Sequence, residues 1–297
     1  MREGLVVLNP SSGSGRAGRL WPEARGRLVR EGFRFDLVRH DGLPGLAGLA
    51  RDKAASGYAT VVAMGGDGTV REVARGLAGT GASLAIIPAG TGNGTAQSLG
   101  LPADLERACR VAARGVPRPV DVGSSPLGLF LNVAGVGLDA RITQEYRLGP
   151  YPPGLPGYAA AALRSLPGFH PSRLTVTLDD TAQTLQGMLA LIGNGGYYGK
   201  GVRFARRADP ADGRFDVYLV EEANLAEIAA LFSLLILGRV AEHPLVHAYR
   251  ARRVAVTADV PLLVHLDGDV VGETPASFEL LPGRLKVLAP GPADSGQ

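Results

Sequence analysis

Two stretches of this chain have almost no side chain and directly follow apolar, strand-like runs: MGGDGTVR at residues 64–71 and PAGTGNGT at residues 88–95. A glycine loop behind a strand serves a backbone that must approach something closely, because a Cβ would clash or exclude positive φ. Its N–H groups, with the N-terminus of the helix that follows, make a preformed site for phosphate oxygens. Thr69 can cap that helix or donate to a phosphate. Asp67 is out of place beside a polyphosphate unless a Mg²⁺ ion or a proton acceptor is wanted there. A third polar glycine loop, NPSSGSG, stands at residues 9–15 behind another such run. One GGDGT string is as readily a tight turn as a site. Three such loops behind strands point to a nucleotide.

Loops of this kind need a scaffold that gathers strand ends. Over the first 120 residues, strand and helix patterns alternate. LVVLNP, FRFDLVRH, TVVAM and ASLAIIP read as strands. Between and after them, RLWPEARGRLVREG, LAGLARDKAASG, VREVARGLAG, GTAQSLGL and DLERACRVAARG read as helices, the first with Pro22 near its start and Gly32 just past its end. Such alternation argues for a parallel sheet covered on both faces, with ligands outside the C-terminal ends of its strands. Near residues 116–123 the pattern turns to closely spaced strands, from LFLNVAGVG through RLKVLAP, which suggests an antiparallel sandwich or barrel. Beyond that point only GYAAAALRSL (157–166) and LAEIAALFSLLILGRV (225–240) read as helices. The expected division is a nucleotide-binding α/β domain over residues 1–120 and a β domain over 121–297, whose last residues can pack back on the first.

Composition excludes several classes. With 45% apolar residues in 297 the chain can bury a sizeable core, and 42 Gly with 21 Pro argue against long uninterrupted helices. A net charge of +3 suits an anionic ligand or membrane surface, but is too weak and scattered to argue for nucleic acid. The only lysines are Lys53, Lys200 and Lys286, and no GxxxxGK[ST] string occurs, so phosphate chemistry must use another architecture. The lone Cys109 excludes an internal disulfide and reads as a small buried apolar residue. There is no signal-peptide layout, and the longest apolar run, residues 228–238, is about half of a membrane span. A soluble, cytoplasmic protein is expected. The two apolar helices suit a hydrophobic pocket or a bilayer contact, although such helices are more often plain core.

In order and spacing, NPSSG, GGDGTVREV, IPAGTGN, VDVG with FLNVAGVGLDA, ADGRFDVYLV and HLDGD resemble the bacterial diacylglycerol kinase-like lipid kinases, over nearly the whole chain. Sphingosine kinases share this catalytic domain, and NAD kinases and 6-phosphofructokinases share the GGDG loop more distantly. The resemblance implies an α/β domain and a β-sandwich domain enclosing a cleft where ATP with Mg²⁺ meets a lipid hydroxyl. Carried over by position, Asn9, Pro10, Ser11, Ser12 and Gly13 would line the nucleotide. So would Gly65, Gly66, Asp67, Gly68, Thr69, Val70 and Arg71, with Thr91 and Asn93 of the second loop. Two departures stand out: His40 where a Thr often ends the second strand, and Gly94 where an Asp often follows GTxN.

Phosphoryl transfer needs positioned phosphates, charge neutralisation by Mg²⁺ and an acceptor for the hydroxyl proton. The acids available are Asp67, Asp121, Asp209, Asp212, Asp216, Asp267 and Asp269. In similar proteins the acid of the DG before the late strand binds a structural Mg²⁺ with two flanking carbonyls, which assigns Asp209, Asp212 and Arg214 to the metal. A DG turn by itself needs no metal. The family's usual proton acceptor, the Glu of DGE, is here Asp269, one methylene shorter. A base must come within ~3 Å of its proton, so either the cleft closes further or a water bridges. Asp269 is the expected base and Asp67 the fallback, with a hairpin-turn role as the plain alternative for Asp269.

The reading is an ATP- and Mg²⁺-dependent kinase that turns a diacylglycerol-like lipid into a phosphatidate-like product at an anionic membrane surface, with a homodimer admitted. Its rivals are a kinase of a soluble hydroxyl substrate, as in NAD kinase, and a catalytically weak nucleotide-binding regulator.

Overall fold

The computed structural model describes residues 3–40, 45–199 and 202–291; residues 292–297, part of the tail expected to pack back, lie outside them. The chain divides into two compact units, Met1–Val122 with Pro282–Gln297, and Gly123–Leu281.

The first run of elements is β1 (Glu3–Leu8), α1 (Arg16–Arg30), β2 (Arg34–Arg39), α2 (Leu46–Ala55), β3 (Thr60–Gly65), α3 (Asp67–Leu77), β4 (Ser83–Pro88), α4 (Gly94–Ser98) and α5 (Leu105–Arg114). The strands pair in parallel in the order β2-β1-β3-β4. β3 and β4 are buried at every position, as central strands with helices on both faces must be. Val6, Leu8, Trp21, Leu28, Met64 and Ile87 share one core, which also holds Cys109. Burial pushes the Cys109 thiol up to about 12. One boundary differs from the sequence pattern. Gly15, left-handed at φ 81°, starts α1 at Arg16, so Pro22 falls in the second turn of the helix rather than near its start. Gly32, at φ 78°, stands just past the helix end as expected.

From there the chain runs through β5 (Val116–Ser125), β6 (Gly128–Phe130), β7 (Val133–Gly137), α6 (Leu138–Leu148), α7 (Leu155–Ser165), β8 (Ser172–Leu178) and β9 (Thr181–Gly193). Then come β10 (Tyr197–Gly199), β11 (Val202–Arg203), β12 (Phe215–Glu221), α8 (Leu225–Ile236), β13 (Val246–Ala251), β14 (Arg253–Ala258), β15 (Leu263–Leu266), β16 (Asp269–Glu273) and β17 (Ala276–Ala289).

In the second unit these strands form an antiparallel sandwich. The order is β16-β15-β7-β9-β8-β14-β17, with β12 also on β9 and β13 on β12. The thirteen-residue β9 serves two neighbourhoods: its first half pairs with β8 and its second half with β7 and β12. β8 shows the half-buried alternation, with Ser172, Leu174, Val176 and Leu178 inward. The core gathers Phe130, Ile192, Phe215, Val254 and Phe278, with the Phe130 and Phe215 rings stacked 5.6 Å apart. α6 is a helix that the apolar pattern does not announce. Its buried face mixes Leu138, Ala140 and Ile142 with Asp139 and Thr143, so no clean stripe is visible.

Candidate active site

The three glycine loops meet at the C-terminal ends of β1, β3 and β4. Asn9 folds its own loop by accepting from Ser11 through both the backbone N–H and the hydroxyl, at 3.2 and 2.8 Å. Its amide then donates to Thr69 Oγ1 at 3.1 Å. The Gly66 N–H donates to Ser12 Oγ at 3.1 Å, joining the first loop to the second. The third loop is closed by Asn93, whose side chain both accepts from and donates to the Gly90 backbone. Two approaches leave no room for side chains: a Cβ on Gly13 would stand 2.4 Å from Ala89 O, and one on Gly90 2.4 Å from Gly66 Cα.

α3 begins at Asp67, so the first-turn N–H groups of Asp67, Gly68 and Thr69 lack intrahelical acceptors. Bare backbone and a helix N-terminus thus face the same place, which suits phosphate oxygens. Asp67 itself accepts from the backbone N–H of Gly94 and Thr95 at 3.2 and 2.9 Å. The carboxylate caps α4, and Gly94 takes part through its backbone. Of the residues carried over, Val70 and Arg71 are buried. Val70 belongs to the core and Arg71 is buried against Glu72, 3.6 Å away.

In the second unit the LDGD hairpin separates its two aspartates by role. Asp267 and Gly268 have φ 47° and 86°, the paired positive values of a two-residue type I′ turn between β15 and β16. The Asp267 carboxylate accepts from the backbone N–H groups of Leu131, Asn132 and Val133 at 2.8–2.9 Å, tying the hairpin to the start of β7. Asp269 instead makes an ion pair with Arg147 at the end of α6, and Arg147 also donates to Gly268 O at 3.0 Å. The Arg147 side chain is half exposed, so its contact is the one that can be exchanged.

The loop expected to hold a metal is arranged differently. Asp212 accepts from the Arg214 N–H at 3.0 Å and pairs with the Arg250 guanidinium. Its own N–H donates to Asp209 O at 3.2 Å, an acceptor the metal reading needed. Arg250 also stands 3.9 Å from Asp216, whose carboxyl is raised above the usual carboxylate range by burial. Among the described residues no cluster of three metal-ligating side chains occurs. Mg²⁺ takes near-octahedral oxygen ligation and is often held by one carboxylate with several waters; here the Asp212 carboxylate is paired with a half-exposed guanidinium. In the structure Asp212 faces Arg250, and the assignment of Asp209, Asp212 and Arg214 to Mg²⁺ stays a proposal.

The sequence pattern did not disclose a buried polar cluster at the start of α6. His265 Nε2 meets Asp139 Oδ2 at 2.5 Å, the Tyr158 hydroxyl donates to Asp139 Oδ1 at 2.9 Å, and the Gly268 N–H donates to His265 Nδ1 at 3.2 Å. That last bond assigns the ring proton to Nε2, where it is given to Asp139. Burial, followed by the nearby Asp139 charge, raises the Tyr158 and Tyr198 hydroxyls well above the ordinary tyrosine value. Asp139, Tyr158 and Tyr198 form part of the wall of a cavity of about 530 Å³, otherwise lined mainly by aliphatic side chains of α6, α7, α8, β9 and β12.

Comparison with known proteins agrees with both halves. The diacylglycerol kinase catalytic domain matches residues 3–125, and the YegS C-terminal NAD kinase beta sandwich-like domain matches residues 132–289. A diacylglycerol kinase of Mycobacterium tuberculosis is 32% identical, covering 96% of this chain and 94% of its own length. One from Bacillus subtilis is 26% identical, covering 98% and 97%. A crystal structure from Bacillus anthracis superposes with a TM-score of 0.82 at 25% identity, over 99% of this chain and 96% of the other. The matched catalytic domain and the names of these relatives mark a kinase. The chain belongs to the bacterial diacylglycerol kinase family.

Proposed function

We propose that this kinase takes ATP, carried as its Mg²⁺ complex, and phosphorylates the hydroxyl of a diacylglycerol-like lipid at an anionic membrane surface, giving a phosphatidate-like product. The observation that carries the lipid half is the aliphatic cavity of about 530 Å³, within the size range of small-ligand sites. Its clustered Asp139, Tyr158 and Tyr198 offer a polar point to orient a head group. A dinucleotide acceptor would set ribose and phosphate against leucine and isoleucine, which disfavours the soluble-substrate reading.

In the transfer, the lipid oxygen bonds to the γ-phosphorus while the bond to the β,γ-bridging oxygen breaks and ADP leaves. The three glycine loops and the start of α3 orient the phosphates. Phosphate oxygens supply ligands for the Mg²⁺ that travels with the nucleotide. The hydroxyl proton passes to Asp269. Asp67 and Asp267 are fastened to backbone N–H groups, whereas Asp269 faces a half-exposed arginine. On this reading Arg147 positions Asp269.

The base assignment is tested by kcat and ATP affinity in four variants. Asp269→Asn lowers kcat by about 10²–10⁴-fold, the usual loss for a general base, and keeps ATP affinity. Asp269→Glu retains or raises turnover. A fully active Asp269→Asn enzyme, with the loss found instead in Asp67→Asn or Asp267→Asn, moves the base to that residue.

A further inference from the structure

Apart from Glu227, which closes the capping box of its first turn, and Ser233, α8 is apolar, yet none of its residues is buried. Its inner face, with Ile228, Leu231, Phe232 and Leu235, lines the cavity. Its outer face carries Ala226, Ala230 and Ile236 in the open, and Leu237 just beyond is 59% exposed; exposed Ala229 and Ser233 also line the cavity. No charged side chain occurs from Ile228 through Gly238. A helix without a polar face is normally covered by protein or by lipid. Twelve residues rise only about 18 Å, short of a bilayer core, and no described helix is long and apolar enough to cross a membrane. A helix too short to span can still lie along the interface with its exposed apolar side chains in the acyl boundary.

Two further observations choose the occupant. Leu163 and Leu225 line the cavity and are 65% and 67% exposed, so they stand at its mouth, Leu225 as the first residue of α8. The C-terminal end of the helix is basic. Exposed Arg206 donates to Leu237 O at 3.3 Å, and Arg203 donates to Arg206 O; exposed Arg239 follows, paired with Glu242. We infer that the outer face of α8, with Leu163 at the cavity mouth, docks onto the leaflet of an anionic bilayer, arginines among the head groups and Ile236 and Leu237 in the acyl boundary. The mouth then opens into lipid, and an acyl chain reaches the cavity without crossing water. The purpose of this surface rests on the lipid reading of the cavity, but binding to a membrane does not require turnover.

The test is sedimentation of the full chain, without nucleotide, with vesicles of phosphatidylglycerol and phosphatidylcholine in equal parts. The parent protein pellets with these vesicles, and less with phosphatidylcholine alone. Ile236→Glu with Leu237→Glu, two positions outside the cavity, lowers the partition by roughly tenfold or more, as expected when two apolar side chains leave the acyl boundary. That variant keeps the parent's mass in solution and its turnover of a short-chain diacylglycerol dispersed in detergent. A parent that stays in the supernatant overturns the proposal, as does a variant that pellets like the parent. So does a variant that falls from dimer to monomer, which would show that a second copy covers the helix. Absent phosphate transfer with intact vesicle binding would reject the kinase substrate and leave this surface standing.

Discussion

Asp139 and His265 lie 126 positions apart and meet at 2.5 Å, carboxylate Oδ2 to ring Nε2. Gly135 makes the meeting possible. A Cβ there would stand 2.2 Å from the Asp139 oxygen and 2.3 Å from the His265 nitrogen. The glycine in β7 is thus required by a contact between two other residues.

Gly135→Ala is expected to separate the pair and leave both groups buried without their partner. Disrupting a buried pair costs about 3–5 kcal/mol, so the urea midpoint of unfolding should fall clearly. An alanine variant with the parent's midpoint would mean that the cluster repacks at no cost.

Gly66→Val is expected to abolish ATP binding in a folded protein. Gly66 has an ordinary extended backbone, φ −94°, so a side chain does not strain it. A Cβ would come 3.3 Å from Gly90 Cα and 3.8 Å from Ser12 Oγ, at the junction of all three loops. Calorimetry showing undiminished ATP affinity would remove the nucleotide from these loops.

These two cases show what could be read in the sequence. The parallel half was legible because strands and helices alternate in it and because its loops are bare. Close backbone approach demands glycine in adjacent stretches, and adjacency is visible in a string. The Asp139–His265 pair was not legible, since His265 sits inside β15 among apolar neighbours. Nor was α6, whose buried face includes Asp139 and Thr143. The signal that pointed there was the glycine pair of AGVG, which reads equally well as a bend. Arg250 was invisible as the partner of Asp212, because a turn carboxylate looks the same whether a metal or a guanidinium faces it.

Asp212→Asn discriminates those two partners. With Arg250 as the partner, the variant loses an ion pair that is partly exposed, so stability falls by about 1 kcal/mol or less. The Mg²⁺ concentration for half-maximal activity then stays with that of the parent. A shift of the Mg²⁺ titration toward higher concentration would place a metal at Asp212.

The central claim is that the γ-phosphate of ATP goes to a lipid hydroxyl. The most direct measurement incubates the purified chain with MgATP and, separately, diacylglycerol, a sphingoid base and NAD, and identifies the phosphorylated product by mass. The account predicts a phosphatidate-like product from diacylglycerol, formed one for one with ADP. Phosphorylation of NAD with no lipid product, or ATP binding with no transfer to any acceptor, would contradict it.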